Sequence, residues 1–205
     1  MISKEEHILL HAEELFAEKG FDGSSTREIS KKAKVNVSMI SYYFGSKEKL
    51  FVKIFEVRMN ESMSFSKDIL ANENLNEWEK LVMLINRYAD RVKTLKTFYR
   101  ILQREQLNNK NPYIAPFLNE SKKGFLSIYT QLIDKGLEKK IFSKKPRIEF
   151  VHSTISGTLF TALNTLPVYK EFFKGDENYE NQYFEEIKIH IHNILKQMLG
   201  YEEKI

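Results

Sequence analysis

Val37-Ser38-Met39-Ile40-Ser41-Tyr42-Tyr43 is a segment with an unusual outside. If it is helical, Ile40 turns inward with Phe44, and Val37, Ser38, Met39, Ser41, Tyr42 and Tyr43 are left on the surface. A solvated helix face carries charge; this one carries hydroxyls, aromatic rings and apolar tips. Hydroxyls bond phosphate oxygens or base edges, and apolar tips meet thymine methyl groups in a major groove. Cations flank the segment: Arg27, Lys31, Lys32, Lys34, Lys47 and Lys49 against Glu28 and Glu48, a net +4 over residues 24–50. Such a surface suits a polyanion, with salt-sensitive affinity. Residues 1–23 have the opposite sign, with Glu5, Glu6, Glu13, Glu14, Glu18 and Asp22 against Lys4 and Lys19, a net −4. The whole-chain charge of +4 hides both halves.

The elements that must position this face can be read on either side of it. Ile8, Leu9, Ala12, Leu15 and Phe16 follow the spacing of one helical face, and Gly20 stops that helix. Ser25-Thr26-Arg27-Glu28 has the capping-box pattern and opens a short helix buried through Ile29 and Ala33. That helix ends about Lys34, Val35 fills the turn, and Asn36 caps the third helix. Gly45 closes the third helix and Ser46 caps a fourth from Lys47. Two short helices joined by so tight a turn follow the helix-turn-helix plan.

The stretch from Ile8 to Leu50 resembles the DNA-binding head of the TetR family of bacterial transcriptional regulators. The resemblance rests on Ile8, Ala12, Leu15-Phe16, Gly20, Thr26, Ile29, Ala33, Val35, Tyr43-Phe44, Lys47 and Leu50 at the family's separations. It implies a homodimer gripping a palindromic double-stranded DNA operator, with a larger helical domain that binds a small-molecule inducer and dimerises. Position by position, Arg27 matches a residue that reaches a base edge and Thr26 a phosphate contact. Val37, Ser38 and Met39 match the base-reading turn, Tyr42 and Tyr43 match phosphate-contacting aromatics, and Lys47 matches a phosphate-binding lysine. Three residues depart from the family: Lys34 stands where Gly is usual, Ser41 replaces a Tyr, and Tyr43 replaces a frequent His. A non-Gly residue in the Lys34 turn costs about 1 kcal/mol.

The expected division is a head of residues 1–46 and a helical ligand-binding and dimerisation domain of residues 47–205, all-α throughout. A long helix leaves the head from Lys47 to about Ile69. Further helices are expected over 76–93, around Phe98 to Gln106, over 113–139, and over 183–199, with a polar stop at Asn108-Asn109-Lys110-Asn111-Pro112. Phe150 to Tyr169 holds twenty residues without Asp, Glu, Lys or Arg, the length of a membrane span, but is too rich in Ser, Thr and Asn for lipid. It reads as a helix buried in protein and ended by Pro167. Ser153, Gly157 and Thr161 recur every fourth residue and allow another helix close, and Ile187, Ile191, Ile194, Leu195 and Met198 stripe the last helix. Together these eight are the expected dimer interface. Tyr88, Phe98, Leu102, Phe117, Phe125, Tyr129, His152, Ile155 and Phe160 are the candidates for an inducer site, apolar with a few polar groups, suited to a hydrophobic or amphipathic molecule.

Other chemistries find little support. With no cysteine, disulfide, thiolate-metal and cysteine-nucleophile sites are excluded. His7 and His11 share a face, but the intervening Ile8-Leu9-Leu10 lacks the zinc-protease Glu; His190 and His192 point apart. No phosphate-cradling glycine loop or nucleophile elbow is present, so neither an enzyme nor a metal or other cofactor is expected. Lys4, Glu5 and Glu6 occupy the place of a signal peptide's apolar core, and a cytoplasmic location without membrane contact is expected. The competing reading is a helical small-molecule-binding or protein-interaction module without sequence-specific DNA binding.

Overall fold

The first helix begins where its sequence supplies a cap. In the computed structural model, which describes residues 2–108, 110–172 and 177–203, Ser3 and Glu6 form a reciprocal capping box that opens α1 (Lys4–Lys19). After it come α2 (Thr26–Lys32), α3 (Val37–Phe44), α4 (Lys47–Ala71), α5 (Glu77–Thr94), α6 (Lys96–Asn108), α7 (Ala115–Glu138), α8 (Ile148–Phe172) and α9 (Tyr179–Leu199). The described residues contain no strand, and the chain has the all-α class that its sequence predicts. Of the polar stop before α7, Asn109 lies outside the described residues. The helices form two compact units, one of Met1–Met63 with Thr97–Lys122 and one of Ser64–Lys96 with Lys123–Ile205.

The first unit is built on an aromatic chain. Phe16 of α1 meets Phe51 of α4 edge-on at 4.8 Å, Phe51 meets Phe55 at 5.1 Å, and Phe55 meets Phe98 of α6 at 5.5 Å. All four are buried, together with Ile8, Ala12, Leu15, Ile29, Ala33, Ile40, Phe44, Leu50 and Ile54. Truncating one such ring costs roughly 3–5 kcal/mol, more than any single cap contributes, so packing rather than helix propensity holds the short helices. Arg104 of α6 completes α1 by donating to the carbonyls of Phe16 and Ala17, the latter at 3.4 Å. Ala17 lies in the last turn of α1, where helix carbonyls run out of intrahelical partners, while the Phe16 carbonyl also accepts from the Gly20 amide at 2.9 Å. Arg58 of α4 pairs with the buried Glu13 of α1 at 3.1 Å; burial raises the Glu13 pKa while Arg58 opposes the rise.

In the second unit α5, α8 and α9 pack on one another. Trp78, Leu81 and Ile85 of α5, Val151, Ile155, Leu159 and Leu163 of α8, and Phe184, Ile191 and Leu195 of α9 are buried. The uncharged run lies inside α8, and no helix among the described residues is long and apolar enough to cross a membrane. Pro167 does not end α8, which continues to Phe172. The proline lies on the exposed side; it removes one backbone donor to the preceding turn, but residues beyond it still bond and the helix carries on. Similarly, α9 starts at Tyr179, ahead of the expected Tyr183.

The turn between α2 and α3 shows what Lys34 does in place of glycine. Lys34 has φ 52°, and the amides of Lys34 and Val35 donate to the carbonyls of Lys31 and Ser30 at 3.2 and 3.0 Å. That is a Schellman closure with Lys34 at its left-handed position. The left-handed conformation costs about 1–2 kcal/mol for a residue with a Cβ, and glycine's extra unfolded-state entropy returns about 0.5–1 kcal/mol. Lys34→Gly should therefore stabilise the chain by about 0.5–1 kcal/mol, seen as a higher urea midpoint at unchanged m-value. A lower midpoint would show that the turn holds no such strain.

Candidate nucleic-acid interface

The second helix is fixed at its start by two residues. The Ser25 hydroxyl accepts from the Glu28 amide at 3.2 Å, and the Glu28 carboxylate accepts from the Ser25 amide at 3.0 Å. This closure sets the first turn, where Thr26 is half-buried and Arg27 exposed. Asn36 opens α3 by accepting from the Ser38 amide at 2.9 Å. Gly45, at φ 81°, closes it, and Ser46 caps α4 through the Lys49 amide at 3.2 Å.

Between these caps α3 buries Ile40 and Phe44 and turns the remainder outward. Val37, Ser38, Ser41, Tyr42 and Tyr43 are exposed and Met39 is half-buried. Tyr42 is 81% exposed. Its ring meets that of Tyr43 edge-on at 5.0 Å, so the two aromatics form a single block. The Ser38 hydroxyl donates to Asn36 Oδ1 at 2.8 Å, which leaves its lone pairs to accept.

The cations divide into three groups. Lys32, expected beside the DNA-facing surface, instead turns to the acidic face of α1, pairing with Glu18 at 2.9 Å and Glu14 at 3.4 Å. The hydrogen bond to Glu18 raises its pKa. Arg27, Lys31, Lys34 and Lys49 are exposed and have no acidic partner among the described residues. Lys47, expected on a phosphate, is half-buried, and its ammonium donates to the carbonyls of Phe21 and Ser24, each at 3.0 Å. Lys19 and Glu28 join α1 to α2 at 2.6 Å. That bond, together with those from Ser25, lowers the Glu28 carboxyl to a pKa of about 2.

His7 and His11 meet edge to face at 4.6 Å. The His7 Nε2–H donates to the Ala33 carbonyl at 2.9 Å, tying α1 to the end of α2, and His11 faces Glu14 at 3.3 Å. Among the described residues no three His, Cys, Asp or Glu side chains are grouped to hold a metal.

The candidates in the body are distributed between the units. Phe98 and Leu102, buried on α6, and Phe117, half-buried on α7, belong to the first. Tyr88, Phe125, Tyr129, His152, Ile155 and Phe160 belong to the second, with Tyr129 and Ile155 buried. Ser153, Gly157 and Thr161 are exposed on one side of α8, and a Cβ built on Gly157 meets nothing within 4 Å. Phe150, Asn164 and Val168 extend the same exposed, uncharged stripe, a continuation that spacing by fours did not reveal. On α9 the expectation needs correction. Ile187, Ile191 and Leu195 are buried within their own unit, because α5 and α8 cover that stripe. Only the half-buried Ile194 and Met198 offer surface.

Comparison with known proteins matches residues 8–54 to the family described as bacterial regulatory proteins, tetR family. The chain is 26% identical over 202 residues to the "Probable HTH-type transcriptional regulator YttP" of Bacillus subtilis (strain 168), covering 95% of each protein. Among solved structures, the fatty acid degradation regulator FadR from Bacillus halodurans superposes with a TM-score of 0.74 at 24% identity, covering 98% of this chain and 99% of that one. FadR from Bacillus subtilis in complex with stearoyl-CoA gives a TM-score of 0.69 at 20% identity, covering 97% and 99%. At these identities the structural likenesses show the fold.

The depressed Glu28 carboxyl makes the start of α2 acid-sensitive. Its folded pKa lies below the unfolded one, so its contribution is present above the unfolded pKa and lost as pH falls from about 5 towards 2. Glu28→Gln keeps a capping acceptor but cannot titrate. The wild-type thermal midpoint should fall more steeply than that of Glu28→Gln across this window. Parallel curves would show that Glu28 does not carry the dependence.

Proposed function

We propose that this chain, a member of the TetR family of bacterial regulatory proteins, is a ligand-responsive repressor. It binds a palindromic operator as a homodimer and releases it when a small amphipathic molecule occupies the body. The observation that carries this reading is the outer face of α3, uncharged, aromatic and hydroxyl-bearing, flanked by exposed cations that have no acidic partner among the described residues. Arg27, Val37, Ser38 and Met39 read base edges, while Thr26, Tyr42 and Tyr43 meet the backbone. Residues 1–46 serve as the reading head and 47–205 as the sensing and pairing body.

Two heads must reach half-sites about one DNA turn apart, ~34 Å, or a small multiple. The exposed stripe Ser153, Gly157 and Thr161 is the proposed centre of pairing, with Ile194 and Met198 at its side. An inducer then has only to prefer a dimer with the wrong head separation. A coupling of about 3 kcal/mol weakens operator binding roughly 150-fold. The names of structural relatives that regulate fatty acid degradation or bind stearoyl-CoA favour a long-chain acyl compound. Within the second unit, Phe125, Tyr129, Ile155 and Phe160, with Tyr88 and His152 as polar members, suit an acyl tail.

Selection from a random duplex pool should enrich a palindrome whose affinity falls linearly with salt on logarithmic axes; no enrichment, or a flat salt response, would remove the DNA-binding reading. Arg27→Ala should relax the preference at one base pair per half-site, at about 1–3 kcal/mol. Adding a long-chain acyl-CoA should release the selected duplex, and no release at any chain length would remove the acyl inducer. Gly157→Arg places a charge where the single chain has open space; sedimentation should show a folded monomer, and a persisting dimer would place the interface elsewhere.

A further inference from the structure

The hydroxyl that the first turn of α3 offers to a base has already spent its proton. In Val37-Ser38-Met39 only Ser38 has a side chain that hydrogen-bonds well, since a thioether is a weak acceptor and an isopropyl group none. A serine hydroxyl carries one donor and two lone pairs, so serine in general meets either kind of base edge. What a particular serine reads depends on where its proton goes.

At Ser38 that destination is set by Asn36. Asn36 is the cap of α3, and its Oδ1 accepts from the Ser38 amide at 2.9 Å. A backbone N–H needs an acceptor, which puts the carboxamide oxygen, and not its NH2, on this side. The Ser38 hydroxyl lies 2.8 Å from the same Oδ1, and because that oxygen carries no hydrogen the hydroxyl is the donor. Asn36 is itself held: its carbonyl accepts from the Met39 amide at 3.0 Å, and the preceding Val35 amide donates to the Ser30 carbonyl at 3.0 Å. A serine inside a helix can turn its proton to the carbonyl four residues back. For Ser38, the second residue of α3, that carbonyl belongs to Lys34, outside the helix and at φ 52°. Ser38 is exposed, and what it presents outward is lone pairs.

We infer that Ser38 is a specificity-determining acceptor. It takes a hydrogen bond from an exocyclic amino group, adenine N6 or cytosine N4, which are the donors of the major groove, and it disfavours guanine O6 and N7 or thymine O4 at the same place. Asn36 sets the sign of this readout without touching the base. Val37 and Met39 add no donor, so no side chain of this turn donates to a guanine edge. The inference rests on the reading of the head as DNA-binding and narrows what that head selects.

Base analogues in the duplex enriched from the random pool test it on the full chain. Ser38→Ala keeps the amide that binds the Asn36 cap, and it should relax the preference at one base pair per half-site, which identifies the pair to alter. Replacing the adenine of that pair by purine, or its cytosine by pyrimidin-2-one, removes the amino group. Wild-type binding should weaken about threefold to tenfold, the worth of one neutral hydrogen bond, while Ser38→Ala should bind both duplexes alike. A 7-deazapurine in the same pair removes the N7 acceptor and should change neither protein's affinity. Asn36→Gly retains a tolerated cap residue but frees the hydroxyl to rotate, and the loss on removing the amino group should shrink. Wild-type sensitivity to the 7-deaza duplex with indifference to the amino group would overturn the inference. So would equal amino dependence in wild type and Ser38→Ala, or the absence of any base pair that Ser38→Ala relaxes. Undiminished amino dependence in Asn36→Gly would overturn the part assigned to Asn36. With a palindrome enriched, these failures leave the DNA-binding reading standing; without one, both fall.

Discussion

Helices of seven and eight residues do not persist in water on their own. Isolated helices need about 12–15 residues to be even marginal, and α2 and α3 fall well short. What keeps them helical is burial. Ile29 and Ala33 beneath α2, and Ile40 and Phe44 beneath α3, are buried in the same unit as the aromatic chain that runs from Phe16 through Phe51 to Phe98. The outward face of α3 can dispense with charge because its position is held from below.

This dependence explains which parts of the molecule were legible in the sequence. Caps are local chemistry, and Ser25 with Glu28, Asn36, Gly45 and Ser46 could be read from their neighbours alone. The positive φ of Lys34 is implied only by the resemblance, through the glycine usual at that turn. The destinations of long side chains could not be read locally. Lys32 belongs by spacing to the basic surface, yet Glu14 and Glu18 lie on a helix packed beside it. Arg104 completes α1 from more than eighty residues away, and no periodicity within 97–122 points there. Four charged residues of the second unit, Glu77, Lys80, Arg91 and Lys188, are buried. They resemble solvated positions until partners such as Asp90 and Glu185, 2.6 and 2.7 Å from Lys188, are in place.

The last two helices show the same limit from the apolar side. A hydrophobic stripe says that a face is covered, not by what. The stripe of α9 is covered by α5 and α8 of its own chain, whereas the outer stripe of α8, small and uncharged from Ser153 to Val168, is left open. Hydrophobicity alone would rank α9 as the stronger surface. Counting which helices already have neighbours reverses the order.

The opposed charges of α1 and of the α2–α3 segment have a consequence for approach. Lys32 and Lys19 join the two halves without cancelling them: α1 keeps an acidic surface, while Arg27, Lys31, Lys34 and Lys49 stay on the other. A domain near neutrality overall but polarised across its width experiences a torque in the field of a polyanion. On the proposed DNA-binding reading, such a head is turned before it is captured, and collisions that lead with α1 are repelled. Net charge would govern how strongly such a head is drawn in; its dipole governs which way it faces on arrival, and hence the fraction of encounters that become productive.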